Sequence, residues 1–295
     1  MIRVSKQQNI TSIADFIGAR FGKSQTLGAV VTLIAVIGIV PYIALQLKAV
    51  SMSFTVLSRY PVVHLPLDAA AGPWWSDTAL IVALSMALFS IVFGTRNIDA
   101  TEHHEGMMLA IAFESVVKLV AFLAVGAFVT FGMFDGFGEL LARAAADPGI
   151  SDKFLAGLNP GSWLTVTVVA MAAFVCLPRQ FHVAVVEARD ERDMARAVWL
   201  FPLYLVAINL FVIPIAIGGL LVFSGYGVDA DTFVLALPMV ARAEWLTLLT
   251  FIGGLSAATG MVIVATVALS TMVCNDVVVP LLLRRNRRRH SAFRV

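Results

Sequence analysis

The residues best suited to chemistry lie where a long apolar stretch is interrupted by proline. Pro178 is followed by Arg179, Gln180 and His182, and the apolar stretch then resumes through Val186. A broken helix at membrane depth is tolerated only where it is buried in protein or lines a cavity, and transporters use such breaks to bind solutes. We predict that Arg179, Gln180 and His182 contact or gate a substrate. The alternative is a helix that ends at the membrane interface.

A second segment, from Gly253 to Gly260, consists almost entirely of small residues. Small residues let helices approach closely. The hydroxyls of Ser256 and Thr259, together with carbonyls exposed at glycine, also offer the oxygen ligands that hard cations take. Helix packing and cation binding both remain open for this segment.

Four further polar residues stand within apolar stretches, where ionisable and amide groups are costly. We expect Gln46 and Asn209 to line a polar path, with hydrogen bonds to neighbouring helices as the alternative. Glu114 and Lys118 stand four residues apart on one helical face, so they can pair. We interpret them as a structural pair rather than as the lining of a cavity.

Bond-making chemistry has no support in the sequence. The stretch Glu102–Glu105 contains two histidines and two carboxylates, but a solvated face explains it better than a metal site. Nucleotide-binding glycine motifs are missing, and both cysteines lie in apolar stretches as small buried residues do. We expect neither an enzyme nor a nucleic-acid-binding protein, and we predict no metal or organic cofactor.

The elements that position these residues are membrane helices. Hydrophobic residues make up 59% of the 295 residues and charged residues 14%, which leaves too little charge to coat a soluble domain. A helix needs about 20 apolar residues to cross the bilayer. We predict a single all-α transmembrane domain with about six spans, at residues 25–57, 76–95, 105–134, 163–186, 196–223 and 243–283.

The positive charges predict the orientation of these spans. Segments 1–24, 95–105, 185–196 and 284–295 hold 14 of the 21 lysines and arginines, and positive residues collect in cytoplasmic loops. Both termini are therefore expected in the cytoplasm. The basic tail 284–295 either contacts anionic lipid or only fixes the topology. Among the segments on the outer side, 132–162 has room for a short helix at Phe137–Ala146.

Three segments resemble the sodium/solute symporter family. They are Thr11–Gly22, Leu177–His182 and Gly253–Asp276, and together with the sequence between them they cover nearly the whole chain. Their amino-acid sequences are most similar to the symporter-like membrane module of bacterial hybrid sensor histidine kinases. The resemblance implies a bacterial inner (cell) membrane protein.

This resemblance implies a LeuT-like inverted-repeat transporter fold, in part, with the six spans as core helices three to eight. It also implies that Ala257, Thr259 and Gly260 hold a coupling cation, with Na⁺ the family's ion. Gly260 and Met261 stand where the family usually has two hydroxyl residues. Sodium and proton coupling therefore both stay open.

We expect a secondary transporter of a small polar solute, such as an amino acid, embedded in the lipid bilayer. One alternative is a solute-sensing membrane module in two-component signalling, with a kinase domain in cis in a longer gene product. The other is a truncated fragment without transport activity, because core helices one, two, nine and ten have no counterpart in the sequence.

Overall fold

The computed structural model describes residues 1–60, 78–94, 105–156, 160–188 and 191–283. These residues form helices and connecting turns, and no strand occurs among them. The helices are α1 (Ile2–Gln8), α2 (Ile13–Arg20), α3 (Gln25–Ser58), α4 (Thr78–Gly94), α5 (Glu105–Phe128), α6 (Phe137–Ala146), α7 (Pro148–Ala156), α8 (Pro160–Cys176), α9 (Pro178–Phe181), α10 (Glu191–Asn209), α11 (Val212–Val222), α12 (Phe233–Val240) and α13 (Glu244–Met272). The prediction of an all-helical protein is confirmed for this part of the chain.

Short π-helical segments extend or follow three of these helices. They are Val129–Met133 after α5, His182–Val186 after α9 and Val273–Val278 after α13. Single π turns within α-helices mark places where the hydrogen-bond ladder is shifted.

Four helical stretches are long and apolar enough to cross a membrane: Gln25–Ser58, Met108–Met133, Met194–Val222 and Glu244–Leu283. Their mean hydropathy lies between 2.0 and 2.6. The bent pair Pro160–Phe174 and Pro178–Val186 makes a fifth if it counts as one span. The described residues therefore form a multi-pass helical membrane protein, while the division into six spans stays a prediction.

Helices α3 and α13 run antiparallel and pack along each other, and we call them the central helices. Side chains of these helices, with Tyr60 just beyond α3 and Asp276 just beyond α13, form hydrogen bonds at both ends and in the middle, namely Thr32–Asp276 at 3.1 Å, Tyr42–Met261 at 2.8 Å and Tyr60–Glu244 at 3.3 Å. We call the side of the bundle that carries α1 and α2 the N-terminal side, and the side that carries α6 and α12 the opposite side.

Helix α13 also packs closely against α5, as the small residues of Gly253–Gly260 predict. A Cβ atom built at Gly253 would stand 2.7 Å from the Cβ atom of Ala121 on α5. Only glycine allows this approach between the two helices. The small-residue segment therefore serves helix packing, which is one of the two interpretations that the sequence left open.

Two apolar cores hold the two sides of the bundle. On the opposite side, Val125 and Val129 are buried against residues of α6, α11 and α12, such as Leu237. Helix α6 begins and ends where the sequence placed it, at Phe137 and Ala146.

On the N-terminal side, α1 and α2 pack on the segment that follows the proline break. Phe181 is buried there, and its ring lies 5.6 Å from that of Phe16 on α2. Ser12 caps α2 by accepting a hydrogen bond from the Asp15 amide at 3.0 Å. The core on this side includes Met272 at the end of α13. The proline break is therefore surrounded by protein on this side.

Candidate functional site

The chain bends by 50° where α8 gives way to α9. Leu177 is extended, with φ of −68° and ψ of 126°, because the residue before a proline disfavours the helical conformation. Pro178 then starts α9, where its missing N–H is not needed. The sequence predicted this break from Pro178.

Arg179 links the break to the two central helices. Its guanidinium carbon lies 4.6 Å from the centre of the Tyr42 ring on α3, and one of its N–H groups donates to the Tyr42 hydroxyl. That hydroxyl in turn donates to the sulfur of Met261 on α13, at 2.8 Å. A charge inside a membrane helix bundle needs such polar and aromatic partners.

Glu114 of α5 contacts α13 at Gly260, the residue before Met261. A Cβ atom at Gly260 would overlap the Glu114 carboxylate, so the absent side chain of α13 provides the space that this carboxylate fills. Glu114 interacts electrostatically with Lys118 on its own helix and with Tyr204 of α10. A carboxylate of α5 is thus held against the backbone of α13.

The expected direct pair between Glu114 and Lys118 is not formed. No ion pair joins the two side chains within 4.0 Å, although their charges interact and Arg179 adds a like charge near Lys118. The physical reason is the position of the Glu114 carboxylate, which lies against Gly260 instead. We call Tyr42, Glu114, Lys118, Arg179 and Gly260 the central polar cluster.

His182 occupies the first π-helical position after α9 and is buried, with 6% of its surface exposed. Its Nε2 atom lies 3.3 Å from Oε1 of Glu187, which is also buried. The contact lacks the alignment of a hydrogen bond, and Nε2 has no hydrogen-bond partner. His182 thus lies inside protein beside the bend, next to the Glu187 carboxylate.

Gln180 lies next to Arg179 in sequence but in different surroundings. It is half-buried and lines a largely apolar cavity of about 660 Å³, together with Phe174 and Met194. The structure therefore separates two of the predicted substrate residues.

Gln46 and Asn209 also differ in their surroundings. Gln46 is half-buried on α3, one turn beyond Tyr42 and so on the same face as the central polar cluster. Asn209 is exposed at the end of α10, and its amide donates to the carbonyl of Leu205 at 2.7 Å. The structure brings Gln46, but not Asn209, close to the other predicted residues.

The three residues expected to hold a cation lie on an unbroken stretch of α13. The Thr259 hydroxyl donates to the carbonyl of Leu255 at 2.7 Å, as threonines inside helices often do. Gly260 faces Glu114, whereas Ala257 lines a cavity that Lys118 also lines. The helix break of this bundle therefore lies at Pro178 and not beside these residues.

One cavity opens near the opposite side of the bundle, with a volume of about 210 Å³. We call it the outer cavity, because the charge pattern predicts that this side faces away from the cytoplasm. It reaches the central polar cluster at Lys118 and is lined by Ser53, Lys118, Ala121, Phe122, Asp231, Thr232, Val234, Leu235, Thr250, Phe251, Gly253, Gly254 and Ala257.

A more polar cavity of about 270 Å³ lies on the N-terminal side. Asp15 of α2 and Asp276 beyond α13 both line it, together with Lys23 and Asn275. Asp276 accepts from Thr32, and Asn275 donates to Thr11 at 3.3 Å. The sequence did not select these carboxylates. The available signal was that Asp276 is the first charge after a long apolar run.

Two predictions from the sequence concern residues outside the described part of the chain. These are the basic tail 284–295 and the metal-like residues 102–104. Among the described residues, no group of three or more His, Cys, Asp or Glu side chains is placed to hold a metal ion.

Comparison with known proteins gives one informative similarity. The chain is 24% identical over 257 residues to the uncharacterized symporter YhjB of Bacillus subtilis (strain 168), and the match covers 86% of this chain and 47% of that protein. The chain thus spans about half the length of this relative. No family model and no solved structure matches the chain. The similarity is to a symporter rather than to an enzyme, which agrees with the prediction that the chain is not an enzyme.

Proposed function

We propose that this chain is a membrane secondary transporter, or the central part of one, that moves a small polar solute across the bilayer. The observation that carries the proposal is the position of the central polar cluster. Charged side chains from α5 and α9 meet at the crossing of α3 and α13, between a cavity near each side of the bundle.

Charges at this depth are expensive, so they are retained where they contact solutes, ions or one another. Arg179 reaches the cluster only because Pro178 redirects the chain. A break that places a cation among central helices is typical of transporters that bind their substrate near the midplane. Tyr42 is, by this proposal, the neighbour that holds Arg179 in place.

The two cavities support alternating access as part of this proposal. The outer cavity ends at Lys118, and the polar cavity on the N-terminal side ends near Asp276, with the central helices between them. In secondary transport one such opening closes as the other forms. Cation coupling is part of the proposal because the relative of this chain is named a symporter; sodium and protons are the two ions to test.

The first experiment is uptake into vesicles containing the purified chain. A panel of labelled amino acids, small carboxylates and sugars is offered under an inward sodium gradient and, separately, under a proton gradient. We expect uptake of at least one solute above that of empty vesicles. We expect Arg179→Gln to abolish it, because the substitution removes the charge that the break places in the cluster.

Arg143→Gln is the matched control. Arg143 is an exposed arginine of α6, paired with Glu139 on the same helix and outside the membrane-spanning stretches. Uptake unchanged by Arg179→Gln would reject the role of the cluster. Solute binding without any uptake would favour the sensing module over the transporter.

A further inference from the structure

The outer cavity has a chemical character that narrows the class of solute. Its volume of about 210 Å³ lies below the range of roughly 300–1,000 Å³ that drug-sized ligands occupy. It lies between α3, α5, α12 and α13, with aromatic and small residues forming most of its wall. A solute bound there is small.

Lys118 is the basic residue of the described lining of this cavity. It is half-buried, and its ammonium group forms no hydrogen bond and no ion pair with the part of the chain that the structure describes. The nearby Glu114 carboxylate lies against Gly260, as described above, and Arg179 adds a second positive charge. A lysine that forms no ion pair inside a membrane bundle is a site where an anion would be stabilised.

The other polar groups of the cavity leave few donors available. The Thr250 hydroxyl donates to the carbonyl of Leu246 at 2.6 Å, and the Thr232 hydroxyl donates to that of Asp229 at 2.7 Å. Ser53 on α3 has no hydrogen bond within the described part of the chain, so its hydroxyl is available. Lys118 and Ser53 thus offer donors from two helices that line the same cavity.

Asp231 is the acidic residue of the described lining. It is exposed, in the turn Ala230–Thr232 that leads into α12. Water screens a charge at such a position, so Asp231 opposes an anion only weakly. The charge that a solute meets inside the cavity is that of Lys118.

We propose that the solute carries a carboxylate, and that Lys118 binds this group in the outer cavity with the Ser53 hydroxyl as a second donor. The two oxygens of a carboxylate can accept from two donors that line one cavity. This inference rests on the proposed function, because it names the class of solute that the transporter recognises. A neutral sugar or a cationic amine would leave the lysine without a partner.

The test compares acids with their amides. The probes are propionate and propionamide, lactate and lactamide, succinate and succinamide, and alanine and alaninamide. Binding to the purified 295-residue chain is followed by the shift of its thermal unfolding midpoint across a concentration series, and the uptake panel described above runs in parallel. We expect one or more acids to bind at least tenfold more tightly than the matching amide.

Variants then assign this preference to the cavity. Lys118→Met should weaken binding of the acid by roughly 10- to 100-fold, the range of a hydrogen bond to a charged group. Lys118→Arg should retain most of the binding. Lys48→Met is the matched control, because Lys48 is exposed on α3 and does not line the outer cavity.

The two proposals fail in distinguishable ways. If a neutral or cationic solute binds and is taken up, and Lys118→Met leaves its affinity unchanged, the carboxylate inference is wrong and the transporter stands. If no solute of either panel binds or is taken up, the proposed function itself is rejected. If Lys118→Met fails to fold, the comparison of acid with amide in the unaltered chain still tests whether the solute carries a carboxylate. Ser53→Ala then replaces Lys118→Met as the variant.

Discussion

The Glu114 carboxylate of α5 occupies the space that a side chain at Gly260 of α13 would fill. This relationship joins two positions 146 residues apart in the sequence. It explains why Glu114 does not pair directly with Lys118, four residues further along its own helix. It also makes the size of residue 260 a direct test of the packing of the central helices.

Gly260→Ala should destabilise the protein by about 1–3 kcal/mol, the usual cost of overpacking a buried position. The measurement is the thermal unfolding midpoint of the purified protein in detergent. Gly254→Ala is the control, because an added Cβ atom there meets nothing within 4 Å. Combining Gly260→Ala with Glu114→Ala should recover much of the loss, since the second substitution removes the overlapping group. Equal midpoints for the two glycine variants would show that the Glu114 carboxylate is not held against α13.

Tyr42→Phe should weaken the attachment of the broken helix to the central pair. The substitution keeps the ring over which the Arg179 guanidinium lies but removes the hydroxyl that contacts both Arg179 and Met261. We expect a loss of about 1.5–3 kcal/mol, the size of a hydrogen bond to a charged group, and reduced uptake. Chemical unfolding and vesicle uptake measure the two effects.

Tyr60→Phe is the matched control for this substitution. The Tyr60 hydroxyl is exposed and bonds to Glu244 at 3.3 Å, so its loss should cost less. A larger effect at Tyr60 than at Tyr42 would contradict the view that Tyr42 connects the break to the bundle. Tyr42→Leu should be worse than Tyr42→Phe, because it also removes the aromatic face.

The orientation of the chain is testable with single cysteines. After Cys176 and Cys274 are replaced by alanine, a cysteine at the exposed Gln7 of α1 should resist a membrane-impermeant maleimide in intact cells and react in inverted vesicles. A cysteine at Ser224, exposed beyond α11, should show the reverse pattern. This result follows from the collection of positive charge on the side of the N-terminus. Labelling of residue 7 in intact cells would show that the N-terminus faces outward and that the predicted topology is wrong.

The sequence predicted the features that depend on local composition. Apolar runs predicted membrane-length helices, and Pro178 predicted the bend that places Arg179 and His182 inside protein. The segment 132–162 was expected to have room for a short helix at Phe137–Ala146, and α6 has these bounds. Each of these signals lies within a few tens of residues of the element that it predicts.

The relationships that build the site lie beyond such signals. The spacing of Glu114 and Lys118 favoured a pair, but the carboxylate is accommodated by a missing side chain on another helix. Asp15 and Asp276 line one cavity although 261 residues separate them. Helical periodicity says which residues share a face of one helix, and it does not say which helix covers that face.

The three hydrogen bonds between α3 and α13 divide this helix pair into two unequal arms. Tyr42 follows Thr32 by ten residues and precedes Tyr60 by eighteen, which at 1.5 Å per residue gives arms of about 15 Å and about 27 Å. Pro41 leaves the helix without one backbone hydrogen bond beside the middle contact. If α3 tilts against α13 about the Tyr42 contact, the end at Tyr60 moves almost twice as far as the end at Thr32. In such a tilt, a small shift at the Thr32–Asp276 contact accompanies a larger shift at the Tyr60–Glu244 contact.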